Sequence, residues 1–223
     1  MIINVGTDTT RNILAAIDVP ILQETPAIVY GLCNDDSFSC GYDRQFEHYI
    51  TDVESRNLSR YTGNGGVMYY ENVHLMRVHF PYPYKLPTRF MKEILQCIKQ
   101  TCINQGLDSR IIELNYLTVN NKKVIGCAWI ESQDAPFSSV LISLNLNPFN
   151  FNAMLNAYKF KKLKHLGDLS EEGLPNDFID TIAHDLGSYF NIESSGDLDQ
   201  TTLTTLQSIH NSDNWIQEAT RFW

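Results

Sequence analysis

The stretch RIIELNYLTV-NN-KKVIGCAWIE, residues 110 to 131, constrains the fold more than any other. Two runs rich in β-branched and aromatic residues flank Asn120-Asn121. Asparagine tolerates the left-handed backbone region, and a pair of such residues between β-rich runs closes a two-residue hairpin whose turn matches the twist of the strands. Successive strand residues face opposite sides. Strict alternation therefore sets Lys122, Val124, Gly126 and Ala128 on one face, and Lys123, Ile125, Cys127 and Trp129 on the other. One lysine of the pair points inward or sits at a rim; the other meets solvent.

The rest of the chain alternates between strand and helix patterns. MIINVG reads as a first strand, and residues 10–23 have helical spacing, with Thr10 as a cap and Pro20 ending or bending the helix. Residues 27–33 and 37–42 read as strands around NDDS, and residues 44–57 as a helix with Phe46, Tyr49, Ile50 and Val53 on one stripe. Residues 67–80 are strand material, in which Met76, Val78 and Phe80 alternate with Arg77 and His79 as in a half-buried strand. Residues 88–107 form the strongest helix pattern: Thr88 caps it, Gly106 ends it, and Phe90, Ile94, Leu95, Ile98, Cys102 and Ile103 make its buried stripe. Residues 138–146 read as a further strand, and 150–160, 175–190 and 201–223 as helices. The mixed order predicts an α+β fold, with largely antiparallel sheets packed with helices. Trp215, Phe222 and Trp223 near the chain end are expected to pack on their own domain.

The chain has 223 residues, 43% of them hydrophobic, which suffices for one sizeable core. A net charge of -9 argues against a nucleic-acid or anionic-membrane binder. The N-terminus lacks the basic flank and apolar run of a signal peptide, and no apolar run reaches the ~20 residues of a membrane span. The expected location is cytoplasmic. The five cysteines (33, 40, 97, 102 and 127) read as free thiols, and neither their spacing nor that of His74 and His79 fits a metal site.

RYTGNGGVMYYEN, residues 60 to 72, is the second informative stretch. A P-loop turn leads into a helix and carries Gly-Lys-Ser/Thr; this turn leads into strand material and no lysine follows. The dinucleotide pattern Gly-x-Gly-x-x-Gly is also missing. What is left is a strand–turn–strand whose bare amides can approach an anion, with Arg60 as a fixed charge beside them. A structural hairpin would use the same residues.

Taken together, the two stretches resemble the lipoate–protein ligase A family, whose catalytic domain has the biotin/lipoate protein ligase-like fold. Arg60-Tyr61-Thr62-Gly63-Asn64-Gly65-Gly66-Val67 is similar to that family's Arg-x-Ser/Thr-Gly-Gly-Gly-Ala-Val. Asn115-Tyr116 followed by Asn121-Lys122-Lys123-Val124-Ile125-Gly126-Cys127-Ala128 is similar to its Asn-Asp strand and Gly-Lys-Lys-Ile-Ser-Gly-Ser-Ala. SFSCGYDRQ, SVLISLNLNPF and LNAYKFKKLKHLG follow the family's order and spacing. The resemblance implies a catalytic unit over residues 1–190 and a helical extension over 191–223 in place of a full accessory domain.

The implied reaction has two steps. Lipoate or octanoate reacts with ATP, as the Mg²⁺ complex, to give an acyl-adenylate; a lysine of an acceptor protein then takes the acyl group. The resemblance implies that Lys123 is catalytic, and that Arg60, Thr62, Gly63, Gly65, Gly66, Asn115 and Gly126 bind the adenylate. It also marks departures. Asn64 replaces the middle glycine, Tyr69-Tyr70 stand for His-Asp, Tyr116 stands for an aspartate that would help hold Mg²⁺, and Phe137-Ser138-Ser139 stand for His-Gly. The alternative is a catalytically inactive ligase-like domain that serves as a protein-binding module. A cysteine nucleophile, as in the related octanoyltransferases, lacks its cysteine in the segment DAPFSS.

Overall fold

The computed structural model describes residues 1–41, 57–61, 67–70, 72–112, 115–129, 137–144, 177–193, 196–213 and 215, with the backbone alone at 41, 61 and 67–70. In chain order the elements are β1 (Ile2–Asp8), α1 (Thr10–Gln23), β2 (Ala27–Cys33), β3 (Ser37–Gly41), β4 (Leu58–Tyr61), β5 (Val67–Tyr70), β6 (Val73–Phe80), α2 (Pro87–Asn104), β7 (Ser109–Ile112), β8 (Tyr116–Val119), β9 (Lys122–Trp129), β10 (Ser138–Leu144), α3 (Phe178–Phe190) and α4 (Gln200–His210). The helices expected over 44–57 and 150–160 lie outside the described residues, apart from Asn57, which precedes β4.

Seven strands form one sheet in the order β1-β2-β6-β10-β9-β8-β7; β3, β4 and β5 form a second, in the order β4-β3-β5. Only β1/β2 and β3/β4 pair in parallel; the other described pairs are antiparallel. The α+β expectation holds. Asn120 and Asn121 both take positive φ, 48° and 64°, and Val119 pairs with Lys122 across them. That is the type I′ geometry that the asparagine pair predicts. The run 110–119 is not one strand. It folds on itself as β7 and β8, with Ile112 opposite Tyr116.

One face of the large sheet carries α2 and α3 over an apolar core that includes Met76, Val78, Leu117, Ile125 and Ile142. The other face carries α1, whose Ile13, Leu14, Ile17 and Val19 pack on Val29, Leu75, Ala128 and Leu141, with Leu198 and Leu206 closing over them. α1 is buried on nearly every side, from Ile13 to Ile21. It lies between the large sheet, α4 and the small sheet. This changes the reading of β6. Arg77 and His79 do not face solvent; they are 1% and 0% exposed, because α1 covers that side of the strand.

The helix ends also differ from the sequence expectations. α1 begins at Thr10, so Thr9 is the cap residue, and its side chain makes no capping bond. The Asp35 carboxylate does that work from the β2–β3 connection, accepting from Thr10 N at 2.6 Å and Thr10 Oγ1 at 2.6 Å. An anion there also suits the positive end of the helix dipole. Asp35 takes a further bond from Asn57 (2.8 Å), and Arg11 donates to Leu58 O at 3.0 Å, so the small sheet is tied to the start of α1. The helix runs three residues past Pro20 and ends on Glu24 in the left-handed region, φ 52°. In α2, Pro87 takes the first position, where its missing N–H costs nothing, and Thr88 is inside the helix instead of capping it. Gly106 does end that helix, at φ 82°, but Ile103 is 43% exposed and not part of the buried stripe. Among the described residues no helix is long and apolar enough to cross a membrane.

Candidate functional site

The turn at Asn120-Asn121 brings Lys122 and Lys123 to the start of β9. From there the register departs from strict alternation. Leu117 pairs with Ile125, but the next residue of β8, Thr118, pairs with Lys123. Val124 is the extra residue of a β-bulge. A bulge shifts the parity of the strand and re-aims the side chains on either side of it. Ile125, Cys127 and Trp129 belong to the core under α2 and α3, and Val124 joins them there. Ala128 belongs to the opposite core. Lys123 is therefore carried to the face of Gly126 and Ala128, and away from Ile125 and Cys127, where simple alternation had placed it.

The contacts agree with that register. The Lys123 ammonium lies 4.7 Å from the centroid of the Tyr116 ring, and Tyr116 is the residue paired with Gly126. A Cβ built on Gly126 would lie 3.7 Å from Lys123 Cε and 3.9 Å from Nζ. The lysine side chain thus runs forward along its own strand and rests over a position without a side chain. Lys123 is half-buried and Lys122 is exposed, so the inward lysine of the pair is Lys123. Asn115 joins the same edge of the site: its carbonyl accepts from Cys127 N at 2.8 Å and extends the β8–β9 ladder by one bond.

Arg60 stands in the other sheet, paired with Cys40 across β3 and β4. It is 6% exposed, and its guanidinium donates to Cys40 Sγ at 3.3 Å. Its carbonyl accepts from Trp215 Nε1 at 3.2 Å. Trp215 is fully buried, which bears out own-domain packing for that part of the chain end. The other expected binding residues, Thr62, Gly63, Gly65 and Gly66, lie outside the described residues. The structure therefore brings Lys123, Gly126 and Asn115 together and sets Arg60 in the neighbouring sheet, next to the glycine segment in sequence.

No thiol for which a shift is resolved is poised as a nucleophile. Burial pushes Cys127 up to about 12, with Lys123 opposing the shift, and pushes Cys97 and Cys102 up to about 11. Cys33 is raised further by the same cause. A thiolate is the reactive form, so these groups are packing residues.

Sequence reasoning missed a second charged group. Arg77 meets Asp18 at 2.5 Å and donates to Ser139 Oγ at 3.0 Å, and Asp18 also faces His210 Nε2 at 3.3 Å. His210 packs on Trp215, with ring centroids 4.8 Å apart. The available signal was an aspartate inside an otherwise apolar helix pattern and an arginine between buried strand residues. Such groups need partners when buried.

No protein-family model matches the sequence, and no curated protein is similar to it by sequence. Solved structures are similar to it in three dimensions. A lipoate-protein ligase A bound with ATP superposes at a TM-score of 0.81, with 13% identity, over 97% of this chain and 98% of that one. This is the lipoate–protein ligase fold. A bi-partite lipoate protein ligase from Thermoplasma acidophilum, described with its E2 lipoyl domain, has the fold at a TM-score of 0.79, with 15% identity, over 97% of this chain and 95% of that one. P. falciparum LipL1 in complex with lipoate has it at 0.75, with 13% identity, over 97% of this chain and 73% of that one. Within the lipoate–protein ligase fold, the chain is a sequence-divergent example.

Proposed function

We propose that this chain is a lipoate–protein ligase-like enzyme. In the first step a carboxylate oxygen of lipoate or octanoate attacks the α-phosphorus of ATP, and the bond to pyrophosphate breaks. In the second the amine of an acceptor-protein lysine attacks the acyl carbon, and AMP leaves. The observation that carries the reading is the bulge that turns Lys123 over Gly126. It sets one ammonium group at the rim of the sheet, where it can meet the charge that develops on phosphate and acyl oxygens. The fold likeness supports the same reading, since solved neighbours hold ATP in one case and lipoate in another.

In this reading Arg60, Thr62, Gly63, Gly65 and Gly66 hold the adenylate with a fixed charge and bare amides, and Asn115 and Gly126 complete its wall. Residues 1–190 form the catalytic unit, and 191–223 a helical extension of it. Mg²⁺ would accompany the nucleotide. Among the described residues no three metal-ligating side chains stand together, and Tyr116 offers no carboxylate. The described side chains do not fit a protein-held Mg²⁺, so nothing in the reaction is routed through one here.

ATP–pyrophosphate exchange with a panel of carboxylic acids tests the proposal. Exchange should depend on lipoate or octanoate and fall a hundredfold or more in Lys123→Ala, about the effect of removing one electrostatic donor. The replacement of an acid by Tyr116 favours a second reading, an inactive ligase-like domain that binds a protein. That reading gains if every acid fails and a partner binds equally well to wild type and Lys123→Ala.

A further inference from the structure

We infer that Tyr116 is a positioning residue for Lys123, and that it holds the ammonium over its ring face. The inference rests on the reading of Lys123 as the ligase lysine. Three independent features converge on it. The bulge at Val124 puts Lys123 on the Tyr116 side of the sheet. Pairing of Tyr116 with Gly126 sets the ring beside the one position in that row where no side chain stands between the phenol and the lysine stem. The ammonium then lies 4.7 Å from the ring centroid, with its stem in van der Waals range of the bare Gly126 backbone position.

An aromatic face suits a lysine that must act on an anion. It attracts the cation through the ring quadrupole, and so narrows the rotamers of a four-carbon stem. It does so with a neutral partner. A carboxylate at 116 would also hold the lysine, but it would cancel its charge and compete with phosphate for it. Tyrosine at this position thus orients the lysine without itself contributing a negative charge beside it. The effect is one of placement. Tyr116 makes no bond to the reacting atoms.

The experiment compares wild type, Tyr116→Phe and Tyr116→Leu with two readouts. The first is the NMR signal of the Lys123 ε-methylene group, assigned by its loss in Lys123→Arg. Over a ring face it should be displaced upfield in wild type and Tyr116→Phe, and return to the ordinary lysine position in Tyr116→Leu. The second is ATP–pyrophosphate exchange. Tyr116→Leu should lower kcat about tenfold while the KM for the acid changes less, and Tyr116→Phe should restore it, because the ring face and not the hydroxyl does the work. An unshifted lysine signal in wild type overturns the inference, as does Tyr116→Phe failing as badly as Tyr116→Leu. A shifted signal without any exchange by wild type overturns the ligase reading, and with it the catalytic purpose of the contact, while the contact itself stands. Thermal unfolding of each variant separates loss of fold from loss of placement.

Discussion

Beneath α1, Arg77 and Asp18 meet with side chains 1% and 0% exposed, and His79 and His210 are buried beside them. At the hairpin end of the same sheet face, Lys123 is half-buried and lies over the ring of Tyr116. The first group has been withdrawn from water and surrounded by protein partners: a carboxylate between a guanidinium and an imidazole, with Ser139 on the far side. The second keeps contact with solvent, and its ring partner has no formal charge. Taking a charge out of water is costly, and an internal counter-charge offsets that cost without leaving much potential for a ligand. A half-buried charge at a rim has given up less of its hydration than a fully buried one. Burial, more than the presence of a charge, separates the two groups.

The contrast can be broken from the structural side first. Asp18→Ala leaves Arg77 buried without its carboxylate, and should lower the unfolding free energy by about 3–5 kcal/mol, read from urea midpoints. If the loss is under about 1 kcal/mol, the cluster is not the structural one described.

His79 sharpens the comparison through pH. Burial, and then the Arg77 charge, lower its pKa from 6.5 to about 3, with Asp18 opposing them. The folded state therefore keeps the ring neutral where the unfolded chain would protonate it. The resulting stability is fully present above pH 6.5 and is lost as pH falls toward 3. Between about pH 7.5 and pH 5 the wild type should lose about 2 kcal/mol more than His79→Phe, measured by urea unfolding at each pH.

A smaller effect tests the scaffold of the Lys123 side. Asn121→Ala forces a Cβ-bearing residue into φ 64° without the local bonding that asparagine offers, and should cost about 1–2 kcal/mol by thermal or urea unfolding. The smallest change is expected for Lys123→Ala itself, within about 0.5 kcal/mol of wild type, the range of surface substitutions. A variant that loses the proposed chemistry and keeps its stability is the signature of a functional charge. A large destabilisation would place Lys123 with Arg77 and Asp18 instead.

How much was legible varies with how local the controlling physics is. The Asn120-Asn121 turn was readable because two adjacent residues set its dihedrals. The α2 stripe was readable because helical period and apolar spacing coincide from Phe90 to Cys102. Ile103 broke the stripe because the helix turns it past the edge that the described residues cover, leaving it 43% exposed. Thr88 lost the cap to Pro87, whose fixed φ suits the first helical position. Alternation makes Lys122 and Lys123 an inward/outward pair, but it groups Lys123 with Ile125 and Cys127, because it carries no sign of the extra residue at Val124. Tyr116 appeared only as a missing carboxylate, since nothing in its spacing from Lys123 announces that the two side chains touch.

By itself the sequence determined the hairpin, the main helices, the mixed α+β class and an inward/outward pair of lysines without saying which was which, because turn dihedrals and side-chain periodicity act over a few residues. Tertiary structure alone decided that β3 leaves β2 for a separate sheet, that α1 buries Arg77, and that one extra residue at Val124 swings Lys123 over Gly126. Those outcomes depend on which distant strand or helix lies alongside, and a pattern read along one segment carries no term for its partner.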